Sequence, residues 1–368
     1  MNGSLRAARL ALTALALCSF SSAARADDEP AQEPYFYKGR DYGSEALYGP
    51  IWVFLNRGFD VLQDRTGSRN LVDQEYIHNG ANVGRNILNP FPAIKARGYG
   101  VFFRQEIFPL SWTADTARWV PNYSLHLIGG GQTYSELSEW YRANGVPLPR
   151  VFAATTVMAS AFMNETLENK GVVGWNTDAI ADIYFFDIGG IILFSFDWPN
   201  WLFSHEILLA DWSLQPSFTY PTFELHNEGN YYAVKWPLPF YRDVRLFMYM
   251  GLGTLFGLSY KFDSQYSLSL GGGTMASRLI ASSRTNADNT VQFAPMAGVF
   301  LDRNNSLLAS LKVTGVQDYF VNFNVYPNAF QVPQLGFWSV VDRGGHFITG
   351  VVFSQPFGVG FGIGNLPE

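Results

Sequence analysis

The feature that most limits how this chain can fold is a change of apolar period partway along it. Beyond about Leu208, large hydrophobic residues recur at every second position. The stretch 357–365, FGVGFGIGN, is the extreme case: Phe357, Val359, Phe361 and Ile363 alternate with Gly358, Gly360, Gly362 and Gly364. A period of two belongs to a β-strand, whose side chains alternate between two faces. In YSLSLGGG, Tyr266, Leu268 and Leu270 share one face and serines the other. In YFVNFNVY, Val321, Phe323 and Val325 oppose Asn322 and Asn324. In GGHFITGVVFSQ, Phe347, Thr349, Val351 and Phe353 oppose His346, Ile348, Gly350, Val352 and Ser354. Turn-forming segments (HNEGN, FDSQ, TNADN, DRNN, YPN, DRGG) separate these runs, so roughly ten strands of about 8–12 residues are expected.

The large-residue faces carry Phe, Val, Leu, Met and Tyr, while charges gather in the turns. A soluble antiparallel barrel or sandwich, the alternative, needs charge on its outward face. Charged residues are 15 % of the chain and aromatics 16 %, against about 25 % charged in ordinary soluble domains. At the other end, Arg6 and Arg9 precede the short apolar run LALTALALCSF, and Ala24 and Ala26 supply a small-x-small cut site. This reads as a signal peptide over 1–26; a lipoprotein signal using Cys18 is opposed by Leu17, where a small residue is expected. Removing 1–26 removes the only cysteine, leaving no disulfide or thiolate chemistry. It also takes Arg6, Arg9 and Arg25, moving the charge from −6 toward about −9, which gives no global attraction to nucleic acid.

The expected class is therefore α+β: a disordered tail over 27–43, a helical subdomain over 44–205, and over 206–368 an antiparallel transmembrane-type β-barrel of roughly 8–12 strands. A bacterial outer membrane is the expected location and the lipid bilayer the expected partner. The glycine face of 357–365 has two readings. It admits the helical half close to the sheet, or it permits strand coiling. The terminal NLPE departs from the aromatic ending common in bacterial barrels.

In the helical half, SEALYGPIWVFLNRGFDVLQD opens at Ser44, QTYSELSEWYRANG stops at Asn144-Gly145, RVFAATTVMASAFMNETLENKG closes on Lys170-Gly171, and NTDAIADIYFFDIGGIILFSF starts from Asn176 as cap. The apolar runs Val151–Met163 and Ile188–Phe196 suit buried helices better than spans of about 20 residues. NYSLHLIGGGQ (122–132) fits either a helix weakened by three glycines or a strand followed by a glycine turn. Residues 99–110 fit a strand.

Chemistry, if present, belongs to the acids of the helical half and one histidine. Glu165 and Glu168 lie three apart on one helix. Asp178 and Asp182 lie four apart on the next and share a face. Asp187 follows, and His126 sits in the earlier apolar stretch. Acids in apolar surroundings gain raised pKa values and serve as general acids or bases, and with a histidine they also suit a hard or borderline metal. Helix capping by Asp178 and core hydrogen bonding by the others is the structural alternative. HExxH, GxSxG, phosphate loops and nucleotide fingerprints are absent, and no organic cofactor is called for.

The run NYSLHLIGGG…EW…MNETLENKGVVGWNTDAIADIYFFDIGGIILF resembles a family of bacterial envelope proteins known only by a domain of unknown function. It is similar to helical VanZ-like and YfiM-like segments. Their pattern of early histidine, acid-bearing helix end and D…D…G places His126, then Glu165 and Glu168, then Asp178, Asp182 and Gly189 in the corresponding positions. Asn164 stands where a lysine is usual. The resemblance covers about 120–195 and implies an envelope location beside a membrane, without an established reaction. Two functions are thus expected. One is an outer-membrane barrel with a structural, binding or transport role and a helical plug or brace. The other is an envelope enzyme acting on a lipid or another amphiphilic ligand through His126, Glu165, Asp178 and Asp182.

Overall fold

The computed structural model describes residues 33–63, 68–109, 120–281, 289–329, 334–354, 356–364 and 366. The signal peptide, Cys18 and the start of the acidic tail lie outside them. The described chain is α+β: a helical region runs from the turn Ser44–Leu47 to Glu206, and a mostly antiparallel sheet follows from Ala210.

The helices follow the capping chemistry. Asn176 accepts from the Ala179 N–H and starts the helix α7 Thr177–Ala181. Gly145 (φ 69°) and Gly171 (φ 77°) take the left-handed conformation that ends the helices α5 Gly130–Ala143 and α6 Pro149–Glu168. The region opens with α1 Pro50–Gly58, α2 Tyr76–Leu88, α3 Pro90–Arg97 and α4 Tyr99–Phe102. The expected strand over 99–110 is not formed. Tyr99–Phe102 is α-helical and Phe103–Ile107 continues it as a π-helix. Phe102 is fully buried there, packed in a cluster with Ala93, Ile94, Ile180 and Phe186.

The ambiguous 122–132 is helix. A π-helix over Val120–Gly129 runs directly into α5. The glycines weaken the helix locally, but packing requires them. A Cβ on Gly131 would lie 2.2 Å from the Phe194 ring, and one on Gly190 2.4 Å from the Leu127 carbonyl oxygen. Two helices cross there backbone to backbone, so tertiary contact overrides propensity. The crossing partner is itself one run: α7, a π-helix over Asp182–Asp187, and α8 Ile188–Leu193. After α9 Asp197–Trp201 the chain enters the sheet.

The sheet comprises β1 Ala210–Asp211, β2 Ser217–Tyr220, β3 Leu225–His226, β4 Tyr232–Leu238, β5 Tyr241–Met250, β6 Gly253–Lys261, β7 Tyr266–Ala281, β8 Asn289–Arg303, β9 Ser306–Thr314, β10 Val321–Val325, β11 Leu335–Val341, β12 Phe347–Phe353 and β13 Gly360–Gly364. The order is β1-β4-β5 through β13, then β2-β3. Only the β13–β2 ladder is parallel. The expectation of a closed cylinder needs correction at this level. Among the described residues, thirteen strand segments form a linear order, and no ladder joins its two ends, β1 and β3. The break falls at 212–216, where Pro216 has no N–H to donate. The register nonetheless runs unchanged across it. Ala210↔Ala233 and Asp211↔Tyr232 continue through Trp212 N to Tyr231 O (2.8 Å) and Leu214 N to Gly229 O (3.0 Å) into Ser217↔His226 and Phe218↔Leu225.

The two faces of the sheet differ as the alternation implies. Trp236, Leu246, Phe256, Leu258, Leu270, Phe293, Phe337, Phe347, Phe361 and Ile363 are exposed. The opposite face is buried. It holds the aromatic cluster of Trp212, Tyr231, Tyr249 and Phe300. It also holds a hydrogen-bonded set of Gln215, Asn227, Asn322 and Asn324 and the pair Lys235–Asp302 at 2.7 Å.

The glycines of 357–365 allow two kinds of close approach. Gly358 (φ 65°) meets the helical half: its Cβ would stand 2.4 Å from the Leu47 oxygen and 3.2 Å from the Trp52 Cβ. Gly360 and Gly362 instead accommodate the sheet's own Ser217 and Trp338. On the other face, Phe218 and Val359 pack with Leu55, Phe59 and Leu62. Trp52 and Asn56 donate to the Leu214 carbonyl, which fastens α1 to the hairpin.

Candidate functional site

Three helical runs bring the polar centre together. The π-helix Val120–Gly129 carries His126, α6 carries Glu165 near its C-terminal end, and the π-helix Asp182–Asp187 carries an acid at each end. A π turn widens the helix by one residue and shifts side chains around the axis, a device common at functional sites. A stripe of asparagines on α2 sets the relative position of the acid-bearing helices. Asn82 donates to Asn169 (2.9 Å), Asn169 donates to Asn79 (3.2 Å), and Asn86 accepts from the Asn176 N–H (3.1 Å).

His126 Nδ1 lies 3.3 Å from Asp187 Oδ2, and its Nε2 lies 3.8 Å from Asp182 Oδ2. The carboxyl groups of Glu165 and Asp182 stand beside one another, close enough for a proton to be shared between them. Ligand-capable atoms of His126, Glu165 and Asp182 all fall within 4.8 Å of one another. Asp187 is also held by Arg57 Nη2 at 3.2 Å, and Arg57 Nη1 reaches the Tyr232 hydroxyl at 3.2 Å. The Tyr232 oxygen pairs with Thr133 Oγ1 at 2.7 Å. The centre is therefore tied through Arg57 to strand β4.

The electrostatics follow from burial. Glu165 and Asp182 are 1 % and 4 % exposed, and their carboxyls are pushed well above the ordinary range. Loss of hydration is the largest cause for both. Repulsion from Glu168, Asp178 and Asp187 adds to it for Glu165; Asp178, Glu165 and Glu168 do the same for Asp182. One proton shared between two carboxyls is the arrangement such a pair adopts.

Of the sequence-predicted residues, His126, Glu165 and Asp182 converge. Asp178 lies in the first turn of α7, half-buried, and acts on Asp182 through its charge. Asp187 proves to be the direct partner of the histidine. Arg57, Tyr232 and Thr133 were not anticipated. Arg57 had a signal, a lone cation inside the apolar IWVFLNRGF; Tyr232 and Thr133 had none. No family model, curated protein or solved structure matches this chain.

Proposed function

We propose that the protein is an outer-membrane β-barrel carrying an enzymatic helical subdomain that hydrolyses or otherwise modifies an amphiphile. The convergence of His126, Glu165, Asp182 and Asp187 into one buried centre carries the catalytic part of this reading. Asp187 accepts the Nδ1 proton of His126 and leaves Nε2 free as the base. In a hydrolysis, Nε2 takes a proton from water as the water oxygen bonds to the ester's electrophilic atom. The bond to the leaving oxygen breaks, and that oxygen receives the proton held between Glu165 and Asp182. Raised carboxyl pKa values suit donation near neutral pH.

The membrane placement is supported by the exposed apolar face. Barrel closure is supported by the segment 210–220, which pairs with β3 and β4 along one edge and with β13 along the other. Read this way, β1 and β2 are one strand and the sheet returns on itself. No described helix is long and apolar enough to cross a bilayer; one bent pair, Thr177–Leu193 with Asp197–Glu206 at 84°, meets that measure jointly. A conduit is disfavoured, because Trp212, Tyr231, Phe300 and Trp338 fill the enclosed face. A bracing role has its own support in the Arg57 link between helices and sheet.

The test compares extracted envelope lipids, by mass spectrometry, from cells carrying wild-type protein or His126→Ala inserted at equal level. A species that accumulates or disappears only with His126→Ala is expected. Identical profiles with equal insertion would leave the bracing role and overturn the enzymatic one.

A further inference from the structure

We propose that His126, Glu165 and Asp182 bind one divalent transition-metal ion, with Asp187 as the outer partner that orients the histidine. The inference rests on the same centre as the catalytic reading and revises its roles: with the ion bound, Nε2 and the two carboxylates would be ligands rather than base and acid, and the ion would supply an activated water. Its geometry is that of a ligand set. The 3.8 Å between His126 Nε2 and Asp182 Oδ2 is too long for a hydrogen bond. Two ligands of a four-coordinate ion, with bonds of about 2.1 Å, stand about 3.4 Å apart. Drawing the three groups onto an ion thus needs side-chain shifts of about 1 Å, within rotamer adjustment.

The tautomer is set as metal ligation requires. Asp187 engages Nδ1, so the Nε2 lone pair faces Asp182. Carboxylate–histidine–metal relays have this form. A second, independent observation points to a missing ligand. Glu165 Oε1 and Asp182 Oδ1 are buried and have no hydrogen-bond partner. A buried carboxylate oxygen left alone costs about 1–3 kcal/mol, and a coordinated cation removes that cost. The ion would also answer the surrounding carboxylates Glu168, Asp178 and Asp187. One imidazole with two carboxylates suits Zn²⁺, Mn²⁺ or Fe²⁺ better than Ca²⁺, which prefers an all-oxygen shell.

The experiment uses the full chain in detergent, stripped with a chelator and titrated with Zn²⁺ and Co²⁺. One ion per chain is expected, with a Co²⁺ spectrum that changes in His126→Gln. Asp182→Asn and Glu165→Gln should weaken Zn²⁺ at least tenfold, and Asp187→Asn by about 10- to 100-fold. Wild-type Zn²⁺ affinity in both His126→Gln and Asp182→Asn overturns the site. Because these variants could lose their fold, wild-type protein supplies a second readout: X-ray absorption of the Zn²⁺-loaded chain must show an imidazole among oxygen ligands, and an all-oxygen shell overturns the site equally. The two readings also separate. Stoichiometric Zn²⁺ with an unchanged lipid profile keeps the metal and removes the enzyme. A lipid change by chelated protein removes the metal from the reaction and leaves the enzyme.

Discussion

Replacing Leu258 with arginine separates a lipid-wetted sheet from a water-wetted one. Leu258 lies within β6, opposite Leu270 of β7 in the ladder, and the two are 50 % and 58 % exposed beside Phe256. In water, an exposed leucine-to-arginine change falls within about 0.5 kcal/mol. In a bilayer the guanidinium enters hydrocarbon, at a cost of about 2–4 kcal/mol near the midplane. That is about a 30- to 700-fold loss in the folding equilibrium. The assay is a urea titration of folding into phospholipid vesicles, followed by tryptophan fluorescence and heat-modifiable mobility. Ser264→Arg, in the exposed turn between β6 and β7, is the control and should match wild type. Leu258→Arg behaving like that control, or wild-type protein staying in the aqueous fraction without detergent, would refute the argument from the apolar face.

Three further outcomes follow from contacts and charge. Gly358→Val forces a branched side chain into a left-handed backbone and against the Leu47 oxygen. Overpacking of about 1–3 kcal/mol plus about 1–2 kcal/mol of backbone strain should appear as a lowered melting temperature in detergent. Arg57→Met leaves Asp187, fully buried, without its cation. It should cost about 3–5 kcal/mol in chemical denaturation, and adding Asp187→Asn should recover part of the loss. The raised carboxyls of Glu165 and Asp182 fix the sign of a pH effect in chelated protein. Between their ordinary values of 4.5 and 3.8 and their raised folded values, the folded state binds more protons than the unfolded. Stability then falls as pH rises through that window, by up to about 1.4 kcal/mol per pH unit per proton. Glu165→Gln should flatten the slope, seen as denaturation midpoints that match wild type at acid pH and rise above it at alkaline pH.

The sheet was legible because strand side chains alternate with period two whatever the neighbours are. Leu268 and Leu270 are exposed while Ser267 and Ser269 are buried, as YSLSLGGG implies. Phe323 and Asn322 divide in the same way. The fine structure of the seam was not legible. Pro216 interrupts a strand whose register survives on either side, and pairing across such a gap depends on residues far along the chain. The strand expected over 99–110 failed for a related reason. YGVFF fits either period, and the buried Phe102 is held by Ile94, Ile180 and Phe186, partners that local pattern does not reveal.

At the centre, residue types were legible and their pairings were not. Asp178 and Asp182 sit one turn apart, as their spacing requires, but Asp187 is the carboxylate that holds His126. Ideal α-helical spacing puts Asp182 and Asp187 about 140° apart around the axis. The π turn between them reduces that angle, so both acids reach one imidazole from the same helix. Nothing local in DIYFFD announces a π turn. It forms where Phe186 packs against Tyr123 and where Arg57, anchored to Tyr232 on β4, draws Asp187 inward. The geometry of the centre therefore depends on the helix–sheet contact, and a reading of the helical half alone finds the acids without their arrangement.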